Sequence, residues 1–141
     1  MASKVFLDAN FLLDITLQRP GFPEASQIIQ RAIDGQVQLF TTPAVLHITG
    51  YYTTQAYGNN QAKQILLTLL NDVQIIECDH ATALMAISSN MDDVEDALQY
   101  YTAIRFDMDY FVSGDKKLKK TALPQLPIYT TSELLAELKS I

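Results

Sequence analysis

Val5-Phe6-Leu7-Asp8-Ala9-Asn10-Phe11-Leu12-Leu13 decides the fold. A short apolar run ends on a carboxylate, and the apolar residues that follow suit a helix rather than a continued strand. The reading is a strand over Lys4–Leu7, then a short helix over Asn10–Leu17 stopped by Arg19-Pro20-Gly21. Asp8 stands at the junction, either as a helix N-cap or as a ligand-binding group. Working outward, further apolar strand signals fall at Gln38–Thr41, Val73–Glu77, Tyr110–Ser113 and Ile128–Thr130. Helical patterns separate them: Pro23–Ile33, Pro43–Tyr57, Asn60–Leu70, His80–Ser88, Val94–Phe106 and Ser132–Lys139. Strands alternating with helices mean βαβ crossovers and a mostly parallel sheet covered on both faces, hence a three-layer α/β/α fold. The successive helices between Pro43 and Leu70 break the alternation and predict a helical arm beside the sheet edge.

At 141 residues the chain suits one domain, 1–141, with a substantial core. Its 48% apolar and 18% charged residues mark a globular protein rather than a disordered one. No apolar run approaches the ~20 residues of a membrane span, and no signal peptide is visible, so a cytoplasmic protein with no membrane contact is expected. The lone Cys78 excludes an internal disulfide and a thiolate metal site, and reads as a buried small hydrophobe. A net charge of −6 argues against a generic nucleic-acid binder. The run Lys116-Lys117-Leu118-Lys119-Lys120 is the local exception, read either as a solvated turn or as a phosphate contact.

Three acids, Asp8, Asp96 and Asp115, stand where strands end or helices begin. In an open α/β sheet the carboxyl ends of parallel strands share one edge, and ligands bind in the crevice there. Each acid alone is explained by a cap or a turn: Asp93 as N-cap with Asp96 in the first helical turn, Asp115 in a Ser-Gly-Asp turn. Together they form a cluster that repels itself unless a cation neutralises it. Carboxylates call for Mg²⁺ or Mn²⁺, and so for phosphodiester chemistry. Asp92 and Glu95 beside Asp93 and Asp96 strengthen that reading.

The segments Val-Phe-Leu-Asp8-Ala-Asn10-Phe-Leu-Leu-Asp14, Asp93-Val-Glu-Asp96-Ala-Leu and Phe-Val-Ser-Gly-Asp115, in this order, resemble the PIN domain. This is a metal-dependent nuclease fold used by many toxin ribonucleases of toxin–antitoxin pairs. The resemblance covers nearly the whole chain and implies a parallel sheet of about five strands. It also implies that Asp8, Asp96 and Asp115 are catalytic, metal-binding carboxylates, with Asp93 at the metal and Asn10 supporting it. One or two divalent ions would then promote in-line hydrolysis of RNA, leaving a 5′-phosphate and a 3′-hydroxyl. Lys116 and Lys117, with Arg105, would steer the RNA backbone without reading its sequence. A cognate antitoxin protein and a homodimer, the latter through the apolar arm Ile48–Leu70, are implied as partners.

One departure stands out. Members of the family carry a Glu early in the helix after the second strand, whereas here that helix reads Thr41-Thr42-Pro43-Ala44-Val45-Leu46-His47-Ile48-Thr49. His47 takes the equivalent turn, either as a supporting nitrogen ligand suited to Mn²⁺ or as a half-buried polar residue on a packing face. The gap opens a second reading, a catalytically weakened PIN-fold module that binds RNA or a protein without cleavage. A phosphotransferase of the haloacid-dehalogenase type fails on Asn10 and Leu12, where an Asp and a Thr or Val belong, and on Lys119, where an acid belongs. A receiver-like domain would carry its acceptor Asp after a middle strand rather than the first.

Overall fold

The computed structural model describes residues 2–139. Each apolar run predicted as a strand is one: β1 (Ser3–Leu7), β2 (Val37–Thr41), β3 (Val73–Ile75), β4 (Tyr110–Val112) and β5 (Ile128–Tyr129). They form one sheet in the order β3-β2-β1-β4-β5, with every neighbouring pair parallel. Eight helices flank it among the described residues: α1 (Ala9–Thr16), α2 (Phe22–Ile33), α3 (Pro43–Tyr57), α4 (Asn59–Leu69), α5 (His80–Ile87), α6 (Val94–Arg105), α7 (Lys116–Lys120) and α8 (Thr131–Lys139). None is long and apolar enough to cross a membrane.

The chain lays β2 and then β3 on one side of β1, and afterwards crosses to place β4 and β5 on the other. The strand order therefore reverses between β1 and β4, where an open α/β sheet leaves a crevice at its carboxyl edge. Asp8 follows β1, and Ser113-Gly114-Asp115 follows β4. The strands that open the crevice are thus the ones that carry two of the acids.

The core beneath is aromatic and fixes α6 in place. Phe6 of β1 stacks on Phe111 of β4 at 4.9 Å, and Tyr100 of α6 meets Phe111 edge-on at 5.4 Å. Tyr100 is fully buried, so its hydroxyl must find partners. It donates to the Leu126 carbonyl at 2.6 Å and accepts from the Leu123 N–H at 2.8 Å. Gln99, also buried, accepts from the Thr42 hydroxyl at the start of α3. Both anchors lie within one helical turn of Asp96, so packing below decides where that carboxylate stands.

The arm from Pro43 to Leu69 consists of α3 and α4 joined at Gly58, whose φ of +84° is a conformation only glycine adopts freely. It packs on α1, where the Thr53 and Thr16 hydroxyls are hydrogen-bonded to each other at 2.9 Å. Two expectations are corrected. The lysine run is not a turn but the helix α7: Asp115 caps it, and Leu118 pins it to the core while the lysines stay outside. Cys78 is part-exposed in the loop after β3 rather than buried, because β3 stops at Ile75.

Candidate active site

Three helices begin at this sheet edge on an aspartate. Asp8 Oδ1 accepts from the Phe11 N–H at 2.9 Å, and Asp93 Oδ1 accepts from the Asp96 N–H at 2.9 Å. Asp115 Oδ1 accepts from the N–H groups of Lys117 and Leu118 at 2.9 and 3.3 Å. Each cap satisfies otherwise orphaned donors of its helix. Each also occupies one carboxylate oxygen and leaves the other outside the cap. Asp96, in the first turn of α6, caps nothing.

Ser113 joins two of the acids. It is buried, its Oγ accepts from the Asp115 N–H at 3.1 Å, and its hydroxyl lies near enough to Asp8 to favour the ionised carboxylate. Sequence reasoning passed over it as a turn residue. The Thr41 hydroxyl donates to the Leu7 carbonyl at 2.9 Å, tying the ends of β1 and β2 just before Asp8.

The electrostatics match a site short of positive charge. Burial pushes Asp8 from 3.8 up to about 6; the hydrogen bond from Phe11 and the Ser113 hydroxyl oppose that rise, while the charges of Asp14 and Asp96 add to it. Burial also pushes Asp96 up to about 6, with further contributions from Asp93, Asp115 and Glu95. The ion pairs among the described residues are Arg19–Asp14, Arg105–Asp79 and Lys119–Glu133. None of them compensates Asp8, Asp93, Asp96 or Asp115. Arg105, expected to face RNA, is taken up by Asp79 at 3.4 Å.

The acids open onto two clefts. Asp93, Asp96 and Asp115 line a cavity of ≈ 440 Å³ with Asp92, Lys117 and Lys120. Asp8 lines a smaller one of ≈ 210 Å³ with Asn10, Asp14, Glu24 and Ser132. Asn10 is held there from behind, since Arg19 donates to its carbonyl at 2.8 Å and Asp14 accepts from Arg19 Nε at 2.9 Å. Among the described residues, no three His, Cys, Asp or Glu side chains converge tightly enough to enclose an ion. An open set of carboxylates nevertheless fits Mg²⁺, which keeps its waters and takes one or two carboxylates plus substrate phosphates rather than a complete protein cage.

His47 is not part of this arrangement. It is exposed on α3 and shares a separate shallow depression with Gly50, Tyr51, Thr54 and Gln55. Val45, Thr49 and Thr53 form the buried stripe of α3, and a residue two positions from Val45 points away from it. Neither expectation for His47, nitrogen ligand or half-buried packing residue, describes its place. Lys116 is exposed at the start of α7 and lies outside the cavity wall, whereas Lys120, not singled out from sequence, is part of it.

The sequence profile of the PIN domain matches residues 4–117. Ribonuclease VapC1 of Aquifex aeolicus (strain VF5) is 28% identical over 138 residues, spanning 94% of this chain and 93% of that protein. Among solved structures, VapBC2 from Rickettsia felis, bound to a DNA fragment from its promoter, has a chain similar in fold at a TM-score of 0.68 and 16% identity. The match covers 90% of this chain and 98% of that one. A toxin–antitoxin complex from Klebsiella pneumoniae gives 0.68 at 17% identity, covering 90% and 97%.

Proposed function

The chain belongs to the PIN domain family, and on that premise we propose that it is a metal-dependent ribonuclease, the toxin of a toxin–antitoxin pair. One observation carries the reading: a cluster of carboxylates at the strand-order reversal, two of them pushed up to about 6, and none of them in an ion pair among the described residues. Such a cluster is costly unless a cation enters it. The similarity to a protein named a ribonuclease over most of both chains supports RNA as substrate.

In this reading Asp8, Asp96 and Asp115 are the catalytic metal ligands and Asp93 lies at their side. Bound Mg²⁺ or Mn²⁺ would supply Lewis-acid activation of water and stabilisation of the leaving oxygen. The chain's own residues do the positioning. Capping bonds fix the aspartates, Ser113 keeps Asp8 and Asp115 together, and Tyr100 and Gln99 set the height of Asp96. The Arg19–Asp14 pair holds Asn10 against the smaller cleft, where it supports the site. Lys117 faces the phosphate backbone, and Lys116 adds charge at the approach.

A cognate antitoxin would cover the acids, in keeping with the complex named for the Klebsiella pneumoniae neighbour. We further propose a single domain over 1–141, a cytoplasmic setting, and a homodimer through the arm, which exposes Tyr51, Tyr52 and Leu67. The first turns of α3 hold no acid, which favours the non-cleaving module as the second reading. One experiment separates the two. Purified protein is incubated with varied RNAs in Mg²⁺ and in Mn²⁺. Cleavage lost in chelator, in Asp8→Asn and in Asp96→Asn is the expected result. No cleavage with either metal would overturn the ribonuclease.

A further inference from the structure

α7 sorts its four lysines by what each one faces. Lys119 is held by Glu133 of α8 and is spent on that ion pair. Lys117 and Lys120 stand three residues apart, hence on one side of the helix, and both line the ≈ 440 Å³ cavity together with Asp93 and Asp96 of α6 and with Asp115, the cap of α7 itself. Neither forms an ion pair among the described residues. If their task were to neutralise the acids, they would reach them. They do not, so two ammonium groups and a bank of carboxylates face a common space that neither fills. A cavity of this size falls in the range that takes a small-molecule ligand, which for a polynucleotide is about one nucleotide unit.

An anionic strand drawn to the acids by a divalent ion needs positive charge beside them, and in a chain of net charge −6 this wall supplies it. We propose that Lys117 and Lys120 form a two-point phosphate clamp that holds single-stranded RNA next to the bond being cut. The inference rests on the ribonuclease reading and deepens it by naming the residues that seat the substrate. Ammonium groups bind phosphate as point charges and do not distinguish bases, so the clamp acts equally on all sequences.

The test uses binding, which does not depend on cleavage. A fluorescein-labelled oligouridylate is titrated with full-length Asp8→Asn protein at constant Mg²⁺, and anisotropy gives the affinity over a series of salt concentrations. Each phosphate contact on a single strand contributes about 0.7 to the slope of log affinity against log salt. Adding Lys117→Ala and Lys120→Ala should lower that slope by about 1.4, so over a fourfold rise in salt the parent loses about sevenfold more affinity than the variant. Lys63→Ala on α4 should leave the slope as it was, and Lys117→Arg with Lys120→Arg should restore it. An unchanged slope in the alanine variant, an equal change in Lys63→Ala, or no RNA binding by the parent would each overturn the clamp. Wild-type cleavage with an unchanged slope sinks the clamp alone. A lowered slope without cleavage in either metal sinks the ribonuclease and leaves Lys117 and Lys120 as RNA phosphate contacts without a bond to cut.

Discussion

Replacing Asp8 by Asn should stabilise the metal-free protein, although it removes a residue central to the proposed chemistry. Burial raises the Asp8 carboxyl from 3.8 to about 6, and Asp14 and Asp96 push in the same direction. A carboxyl whose folded value lies above its unfolded one binds more protons folded than unfolded between those values. Stability contributed by the neutral form is therefore fully present below 3.8 and is lost as pH rises through about 6. At neutral pH the ionised Asp8 costs the fold up to about 3 kcal/mol, taking 1.36 kcal/mol per pH unit. Because Asp8 keeps some contact with solvent, a gain of about 1–2 kcal/mol is expected in the variant. Asparagine caps a helix as well as aspartate does, so the bond from the Phe11 N–H survives the exchange. Urea denaturation in chelator, at about pH 7.5 and again at about pH 4, reads the difference directly. The Asn variant should be the more stable at the higher pH, and its advantage should shrink at the lower one. An Asn variant no more stable than wild type near neutrality, or one with the same gain at both pH values, would refute the reasoning.

Other perturbations separate cap, packing and metal. Asp115→Ala should cost about 1 kcal/mol through loss of the α7 cap, whereas Asp115→Asn should keep the cap; equal melting temperatures for the two would show that the cap contributes nothing. Gly21→Ala would set a methyl 2.3 Å from Asp14 Oδ2 and displace the partner of Arg19, a loss of about 1–3 kcal/mol by denaturation. Thr42→Val removes the α3 cap and strips the buried Gln99 oxygen of its donor; about 1–3 kcal/mol is expected, and an unchanged denaturation midpoint would show that the pair does not anchor α6. Mn²⁺ at a hundredfold excess over its Kd should stabilise the wild type by about 2.7 kcal/mol, read as a thermal shift that disappears when Asp8 and Asp96 are both changed to Asn.

Much of this arrangement is legible in the sequence, for a physical reason that also marks where legibility stops. Strand and helix periods differ, so the five apolar runs and the helices between them could be placed along the chain. Parallel strands end at one edge, so Asp8 and Asp115 could be brought near each other without knowing the strand order. The failures depend on tertiary packing. α7 is a helix because Leu118 finds the core and Asp115 finds two N–H groups, and neither fact is visible in a run of lysines. The inward stripe of α3 is carried partly by Thr49 and Thr53, whose hydroxyls bond to the carbonyls of Val45 and Thr49. Read as polar, they conceal the buried face, and with it the outward direction of His47. Gln99 escapes notice because its partner Thr42 lies in another element, and Lys120 because only the packing of α7 turns it toward the cavity of the acids.

Cap and metal ligand compete as explanations of an aspartate only while it is read in isolation. A helix that starts at the carboxyl edge of a parallel sheet needs an acceptor for its first N–H groups, and aspartate is among the best. Asp8, Asp93 and Asp115 meet that need with Oδ1, which commits each side chain to one rotamer and turns its remaining oxygen toward a fixed direction. Capping thus orients the carboxylates in advance and offsets part of the repulsion their proximity creates. Asp96, which caps nothing and has two oxygens to offer, is raised to about 6 with three neighbouring acids contributing. It gains most from a cation. If metal binding holds this cluster together, Asp96→Asn should remove more Mn²⁺ affinity than Asp93→Asn. Calorimetric titration of the two variants decides it, and equal losses would mean that the caps, not the ion, determine how these acids are arranged.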